Sequence, residues 1–307
     1  MRARRPALIA LVLSLGLWGC RGEPAFPVDI SLTAIKGLSP VPAATTLWVT
    51  PEAIDLSPAA GEPGPSQGTG EVQATRVVDL KDGRVDPSQK TDPEQDYSPI
   101  SSLMEALERR RSAILAQPKS LFTGDLNLFV HPSTPQETIG LLIYTAGMAT
   151  FMPTGFAVGA PGAVALVPLD VPLVGDQVKV CMRRSEDAPP VSEGAPQCLQ
   201  LEVSIHDDGF RVREEGTVFQ RRPEITLPRR DGGAGDYDYE ALYQTLKGRY
   251  LGFKEDDISQ SFQVGATPDI PVEVLLKTIT TVRTPRTPAE GAEPVTLFVR
   301  TYLTAVR

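Results

Sequence analysis

Few side chains in this chain of 307 residues combine a reactive type with a spacing that supports chemistry. The two histidines, His131 and His206, lie far apart, with no Cys-x-x-Cys or His-Glu-x-x-His spacing around them. Zinc sites need such clusters of nitrogen and sulfur ligands, so both histidines are expected as solvated loop residues. Asp231, Asp236, Asp238 and Glu240 gather beside Gly232, Gly233 and Gly235. Hard cations take oxygen ligands of this kind, but the spacing does not fit an EF-hand, and a loop leading into a helix N-cap is the simpler expectation. Asp207 and Asp208 would be an acid pair for glycan cleavage only if they could flank a bond about 5 Å or more apart, which neighbours in a tight turn cannot do. Tyr237, Tyr239, Tyr243 and Tyr250 offer a sugar-stacking platform on paper. The last three fall close to one helix face, however, which favours core packing. No Gly-x-Ser-x-Gly elbow, P-loop or dinucleotide fingerprint occurs, and Gly159-Ala-Pro-Gly162 is too short to cradle phosphate. The expectation is a non-enzymatic protein with no catalytic residue, no metal and no cofactor.

The cysteines carry the remaining chemistry. Arg2, Arg4 and Arg5 precede an uncharged stretch from Pro6 to Gly19, which ends at Cys20 before Arg21 and Glu23. A charged start followed by a short apolar core is the pattern of a secretory signal peptide. The stretch is shorter than the roughly 20 residues that span a bilayer. Leu17-Trp18-Gly19-Cys20 resembles the lipobox of bacterial lipoproteins, although Trp18 is an unusual occupant of its second position. The resemblance implies cleavage before Cys20 and acylation of its thiol and new amine. Residues 1–19 are then the signal peptide and 20–45 a lipid-anchored N-terminal segment. An outer-membrane location on the periplasmic side is expected over the inner membrane.

Loss of the three signal arginines makes a chain of formal charge −8 still more acidic. Such a surface argues against nucleic acid, whose phosphates need cations. It argues equally against electrostatic adhesion to anionic lipid. Attachment to the membrane should therefore come from acyl chains. Cys181 and Cys198 are left as an even pair in a compartment that permits disulfides. A bond between them would close a loop of about 15 residues and stabilise the fold by roughly 3 kcal/mol. Two unpaired thiols or a redox pair are the alternatives; the latter usually shows two-residue spacing.

Hydrophobic periodicity supplies the elements that would position these groups. Leu47 and Val49, then Ile54 and Leu56, alternate as paired strands. Leu103, Leu107, Ile114 and Leu115 trace a helical stripe over Ile100 to Leu115, with Arg109, Arg110 and Arg111 on the solvated side. Leu126 to Val130 reads as a strand, Thr138 to Met152 as a buried helix, and Phe156 to Val167 as strand and turn. Beyond Gln197, Leu201, Val203 and Ile205 alternate strictly, and Asp208-Gly209 supplies a hairpin turn. A helix from Tyr239 to Tyr250, capped by Asp238, then a strand over Ile258 to Val264, a helix over Val272 to Arg283 and a strand over Val295 to Val306 complete the chain. Ser57 to Ser98 is rich in Gly, Pro, Ser, Gln and Asp and reads as a flexible insertion, with room for one short hairpin around Val77 to Val85. Met182 to Gln197 is the natural domain boundary.

Two matches suggest an internal repeat. Leu47-Trp-Val49 and Ile54-Asp-Leu56 align with Val203-Ser-Ile205 and Phe210-Arg-Val212. Pro132-Ser-Thr-Pro135, followed by Ile139 and Ile143, aligns with Pro268-Asp-Ile-Pro271, followed by Leu275 and Ile279. Each half reads strand, turn, strand, helix, strand, Pro-x-x-Pro, helix, strand. The predicted fold class is α+β, with two related domains, each a mixed sheet packed with two helices.

That unit resembles the periplasmic domain of the ExbD/TolR family. Val49-Thr-Pro-Glu-Ala-Ile54-Asp-Leu56 is similar to its first hairpin, and Ile100-Ser-Ser-Leu103-Met-Glu-Ala-Leu107 to its first helix. Leu126-Asn-Leu128-Phe-Val130-His-Pro-Ser-Thr-Pro135 and Leu142-Ile143-Tyr144-Thr145 match its next strand, loop and helix. Tyr239-Glu-Ala-Leu242 and Asp269-Ile-Pro271-Val-Glu-Val-Leu275 match the same places in the second half. The resemblance divides the chain into a first module over 46–170 with the insertion 57–98, a linker with the cysteine pair over 171–198, and a second module over 199–307. Family members carry a transmembrane helix with a proton-coupling aspartate. Pro6 to Trp18 has no acid, and coupling protons across a bilayer requires a buried ionisable group. The resemblance thus implies a binding protein of the cell envelope, accessory to transport or to peptidoglycan tethering, with peptidoglycan or a TolQ/ExbB-like membrane complex as partner. A solute-binding or secretion-apparatus lipoprotein is the alternative, with an envelope hydrolase behind it.

Overall fold

The computed structural model describes residues 44–57, 74–118, 121–160, 163–168, 199–216, 223–230, 237–255, 260–283, 297 and 302–305. The expected sites Cys20, Cys181 and Cys198, and the expected boundary 182–197, lie outside the described residues. The fold class is α+β: two mixed sheets, each packed with two helices.

The first sheet has seven strands in the order β4-β3-β2-β1-β5-β6-β7. They are β1 (Thr45–Val49), β2 (Ala53–Leu56), β3 (Thr75–Lys81), β4 (Arg84–Val85), β5 (Asp125–Val130), β6 (Met152–Ala160) and β7 (Ala163–Pro168). Helix α1 (Ser101–Leu115) lies between β4 and β5, and α2 (Gln136–Met148) between β5 and β6. The second sheet has five strands in the order β10-β9-β8-β11-β12. They are β8 (Leu199–His206), β9 (Gly209–Gly216), β10 (Ile225–Pro228), β11 (Gln260–Ala266) and β12 (Tyr302–Ala305), with α3 (Tyr239–Glu255) after β10 and α4 (Val272–Arg283) after β11.

The two halves have one topology. In each, a first strand pairs antiparallel with the second and parallel with the strand before the Pro-x-x-Pro loop: β1 with β2 and β5, β8 with β9 and β11. In each, a further parallel strand follows the second helix, β6 or β12. The parallel pairs need crossovers, and α2 and the helix-bearing connections supply them. The seven-stranded sheet adds the β3–β4 turn on one edge and β7 on the other.

Alternation decides what is buried. Leu47, Val49, Ile54, Leu56, Leu126, Leu128 and Val130 face α1 and α2, and Leu201, Val203, Ile205, Phe210, Val212, Phe262 and Val264 do the same under α3 and α4, all within one connected apolar cluster. On the outer faces the halves part. Trp48, Phe129, Ala157 and Leu166 stand side by side across β1, β5, β6 and β7 and form a separate apolar row. Trp48 and Phe129 rings lie 4.1 Å apart. The matching face of the second sheet carries Glu202, Ser204, Arg211, Arg213 and Gln263.

Residues 75–98 depart from the flexible insertion expected for 57–98. The expected hairpin is there, but it is part of the sheet: β3 pairs with β2, and Val78, Val85 and Ser98 are buried. Asp86 then caps a short 3-10 turn through the Ser88 amide, which with the Ser88 hydroxyl holds its carboxyl below the usual range. Composition suggested disorder because three buried side chains are too few to shift a window average. Strand β10, at four residues, is too short to give a periodic signal in the sequence.

Two glycines with different surroundings check this architecture. Gly209 in the β8–β9 hairpin has φ +143°, and a Cβ there would meet the Leu227 carbonyl oxygen of β10 at 2.1 Å. Gly248 in α3 has nothing within 4 Å. Gly209→Ala should lower stability in chemical denaturation by roughly 2 kcal/mol or more, whereas Gly248→Ala should raise it by about 0.5–1 kcal/mol.

Candidate functional site

The sequence-derived candidates do not converge. His131 follows β5; its amide donates to the Val49 carbonyl at 2.8 Å and its Nδ1 lies 2.7 Å from Ser133 Oγ. His206 ends β8 with Nε2 3.0 Å from Ser204 Oγ. Burial, then the Arg211 charge, holds its pKa below the usual imidazole range, so it resists becoming a cation. Asp207 and Asp208 are exposed in the hairpin turn, and Asp208 pairs with Arg211 at 3.3 Å. Asp238 is the N-cap of α3: its Oδ1 accepts from the Ala241 amide at 2.8 Å and from Arg230 at 2.7 Å, and these bonds hold its carboxyl below the usual range. Asp231 and Asp236 lie outside the described residues. Among the described residues no group of three His, Cys, Asp or Glu side chains could hold a metal ion. Tyr237 and Tyr243 are buried in the core, and Tyr239 packs against it. The Tyr237 hydroxyl donates to the His206 carbonyl and accepts from Arg229, each at 2.8 Å. Burial raises the pKa of both Tyr237 and Tyr239.

Two features do unite the halves. One lies under the first helix of each. Arg110 of α1 is buried and donates to the Ser57 carbonyl beyond β2. Arg249 of α3 pairs at 2.7 Å with Glu214 near the end of β9, whose side chain is 5% exposed. Leu103, Leu107 and Arg110 correspond in spacing to Leu242, Leu246 and Arg249, a match hidden in the sequence because Arg110 sits in a run of three arginines that reads as a solvated face.

The other feature joins the halves. The loops Pro132–Pro135 and Pro268–Pro271 meet in an antiparallel bridge between Pro135 and Pro271. The Gln136 amide donates to the Ile270 carbonyl at 2.9 Å, and the Val272 amide to the Thr134 carbonyl at 2.8 Å. The Glu137 amide donates to the Pro268 carbonyl at 3.0 Å, and the Glu273 amide to the Pro132 carbonyl at 3.1 Å. One numbering offset carries each bond into its partner, so the joint has a local twofold axis. The donors are the first two amides of α2 and of α4. Helix N-termini leave such amides without intrahelical partners, and Pro135 at the N-cap of α2 has no side-chain acceptor to offer. Each half therefore caps the other's helix.

The β3–β4 turn clamps one side of this joint. Gly83, at φ +75°, brings the turn against Pro135, where a Cβ would meet the ring at 3.0 Å. The Gly83 carbonyl accepts from Thr138 Oγ1 at 2.7 Å. Arg84 reaches Glu137 of its own half at 2.9 Å and Asp269 of the other. These ion pairs are exposed on both sides, so they orient more than they stabilise. The surface above the joint is a mixed patch: His131, Ser133, Glu137, Arg84, Asp269, and the Glu273–Lys277 pair. Within it the His131 imidazole meets the Ser133 hydroxyl, which is its neighbour two residues on in the same loop. No family model matches the chain, and no curated protein does.

Because proline is tolerated at a helix's first position, Gln136→Pro deletes a joint donor and leaves α2 intact. It should keep the wild-type helical circular dichroism and lower stability by about 1 kcal/mol relative to Gln136→Ala, which retains the amide.

Proposed function

We propose that this protein is a lipid-anchored component of the bacterial cell envelope that acts by binding, on the periplasmic side and on the outer membrane in preference to the inner. It would combine two fused ExbD/TolR-like modules and serve as an accessory to envelope transport or to peptidoglycan tethering. The observation that carries this reading is the joint. Two units of one topology, tied by reciprocal helix capping, make a fixed pair of heads of the sort that grips an extended partner rather than turning over a small molecule. The signal segment and Cys20 supply the address and the anchor, and no helix among the described residues is long and apolar enough to cross a membrane. Peptidoglycan or a TolQ/ExbB-like complex is the proposed partner, met through the patch around Arg84, Glu137 and Asp269.

Cys20→Ser should move the protein from the membrane fraction to the soluble periplasmic extract; unchanged membrane retention would refute the anchor. Residues 21–307 should co-sediment with isolated peptidoglycan or be retained by a TolQ/ExbB-like complex, and binding should fall several-fold in Arg84→Ala. Failure with both partners would refute the proposed role. Peptide mapping without reductant should find Cys181 linked to Cys198, whereas thiol labelling of both in natively purified protein would exclude the bond.

A further inference from the structure

The exposed large apolar side chains are concentrated at one pole of the first half. Among the described residues these are Leu115, Leu121, Met148, Met152 and Tyr97, and all but Tyr97 belong to this pole. Leu115 ends α1 and is 59% exposed; Leu121, on the way into β5, is 89% exposed. Met148 ends α2 and Met152 opens β6. Backbone and side-chain bonds gather these segments. The Met152 amide donates to the Gly124 carbonyl at 2.7 Å, Arg111 of α1 donates to Thr150 Oγ1 at 3.1 Å, and the Phe122 and Phe151 rings meet edge to face at 5.0 Å. Thr150 holds φ +68°, an uncommon conformation for a β-branched residue, in the turn that carries Met148 to Met152.

Strand polarity fixes where this pole lies in the first half. β1, β5 and β6 are parallel, with Thr45 opposite Leu126 and Asp125 opposite Met152, so all three begin at the apolar pole. The segment from Cys20 enters the fold at Thr45, at that same end. The joint with the second half follows the opposite, carboxyl ends of β5 and β11. Six residues of β5 put it about 20 Å from the pole. Arg111 borders the apolar side chains through its bond to Thr150, Arg109 is paired with Glu105 one turn back, and Asp125 at the start of β5 is half-buried. Flexible aliphatic side chains bordered by arginine suit a lipid headgroup boundary.

We propose that this pole lies on the phospholipid bilayer, with Leu115, Leu121, Met148 and Met152 entering the headgroup–acyl boundary. The inference rests on the lipid-anchor reading for its occupant. It makes the first half a foot and holds the joint and the second half off the membrane.

A tether that does not depend on Cys20 separates the two ideas. Residues 21–307 with an N-terminal His tag would be held on phosphatidylethanolamine/phosphatidylglycerol vesicles containing a nickel-chelating lipid and brominated phosphatidylcholine. Leu121→Trp reports on the pole and Ser133→Trp on the joint, each read against the parent protein. Quenching of the added tryptophan should be about threefold stronger at 121 than at 133, as expected for a residue at the boundary against one beyond it. It should fall to the level of 133 when Leu115, Met148 and Met152 are changed to Ser. Equal or absent quenching at both positions would overturn the proposal, and so would quenching at 121 that survives the serine changes. Acylation of Cys20 is scored separately by fractionation, so a failure of the anchor and a failure of the pole give different results.

Discussion

The reciprocal capping of α2 and α4 is the constraint on which the rest of the molecule turns. A helix begins with amides that its own backbone cannot satisfy. Most chains answer with a Ser, Thr, Asp or Asn at the N-cap. Here prolines precede both helices, and the acceptors are carbonyls of the opposite loop. The first turn of each central helix is therefore complete only in the presence of the other half. The buried side chains follow suit: Ile139, Leu142, Leu275 and Ile279 belong to one connected apolar cluster.

The clamp from β3 and β4 makes this twofold arrangement lopsided. Arg84 binds acids of both halves, and Gly83 permits the close approach to Pro135. These added residues give one flank of the joint a cation and a turn. On the other flank the local feature is the Glu273–Lys277 pair within α4. A partner that touched the joint would thus meet chemically distinct sides, which is a means of fixing orientation on a symmetric frame.

Much of the architecture was legible because its signals were periodic. Strict alternation in Leu201, Val203 and Ile205 marked a central strand, and the stripe from Leu275 to Ile279 marked α4 within its true bounds. The repeat was legible in two places where geometry restricts residue choice: the hairpin, and the Pro-x-x-Pro entrance to a helix. What stayed hidden depends on partners distant in sequence. Nothing in Pro132–Pro135 says that its carbonyls will cap α4. Nothing in the Arg109-Arg110-Arg111 run says that the middle guanidinium turns inward to Ser57. The apolar pole was hidden likewise, because Leu121, Met148 and Met152 come together only through strand polarity.

The capping bonds of the seam run between main-chain atoms, and that has a consequence for how the halves can drift apart. Amide-to-carbonyl bonds do not depend on side-chain identity, so substitutions on the outer sheet faces, away from the two loops and the shared core, leave these bonds in place. The outer sheet faces illustrate the latitude: an apolar row of Trp48, Phe129, Ala157 and Leu166 on one, and Glu202, Ser204 and Gln263 on the other. Two units of like topology joined in this way stay together while each is at liberty to acquire a surface, and so a trade, of its own.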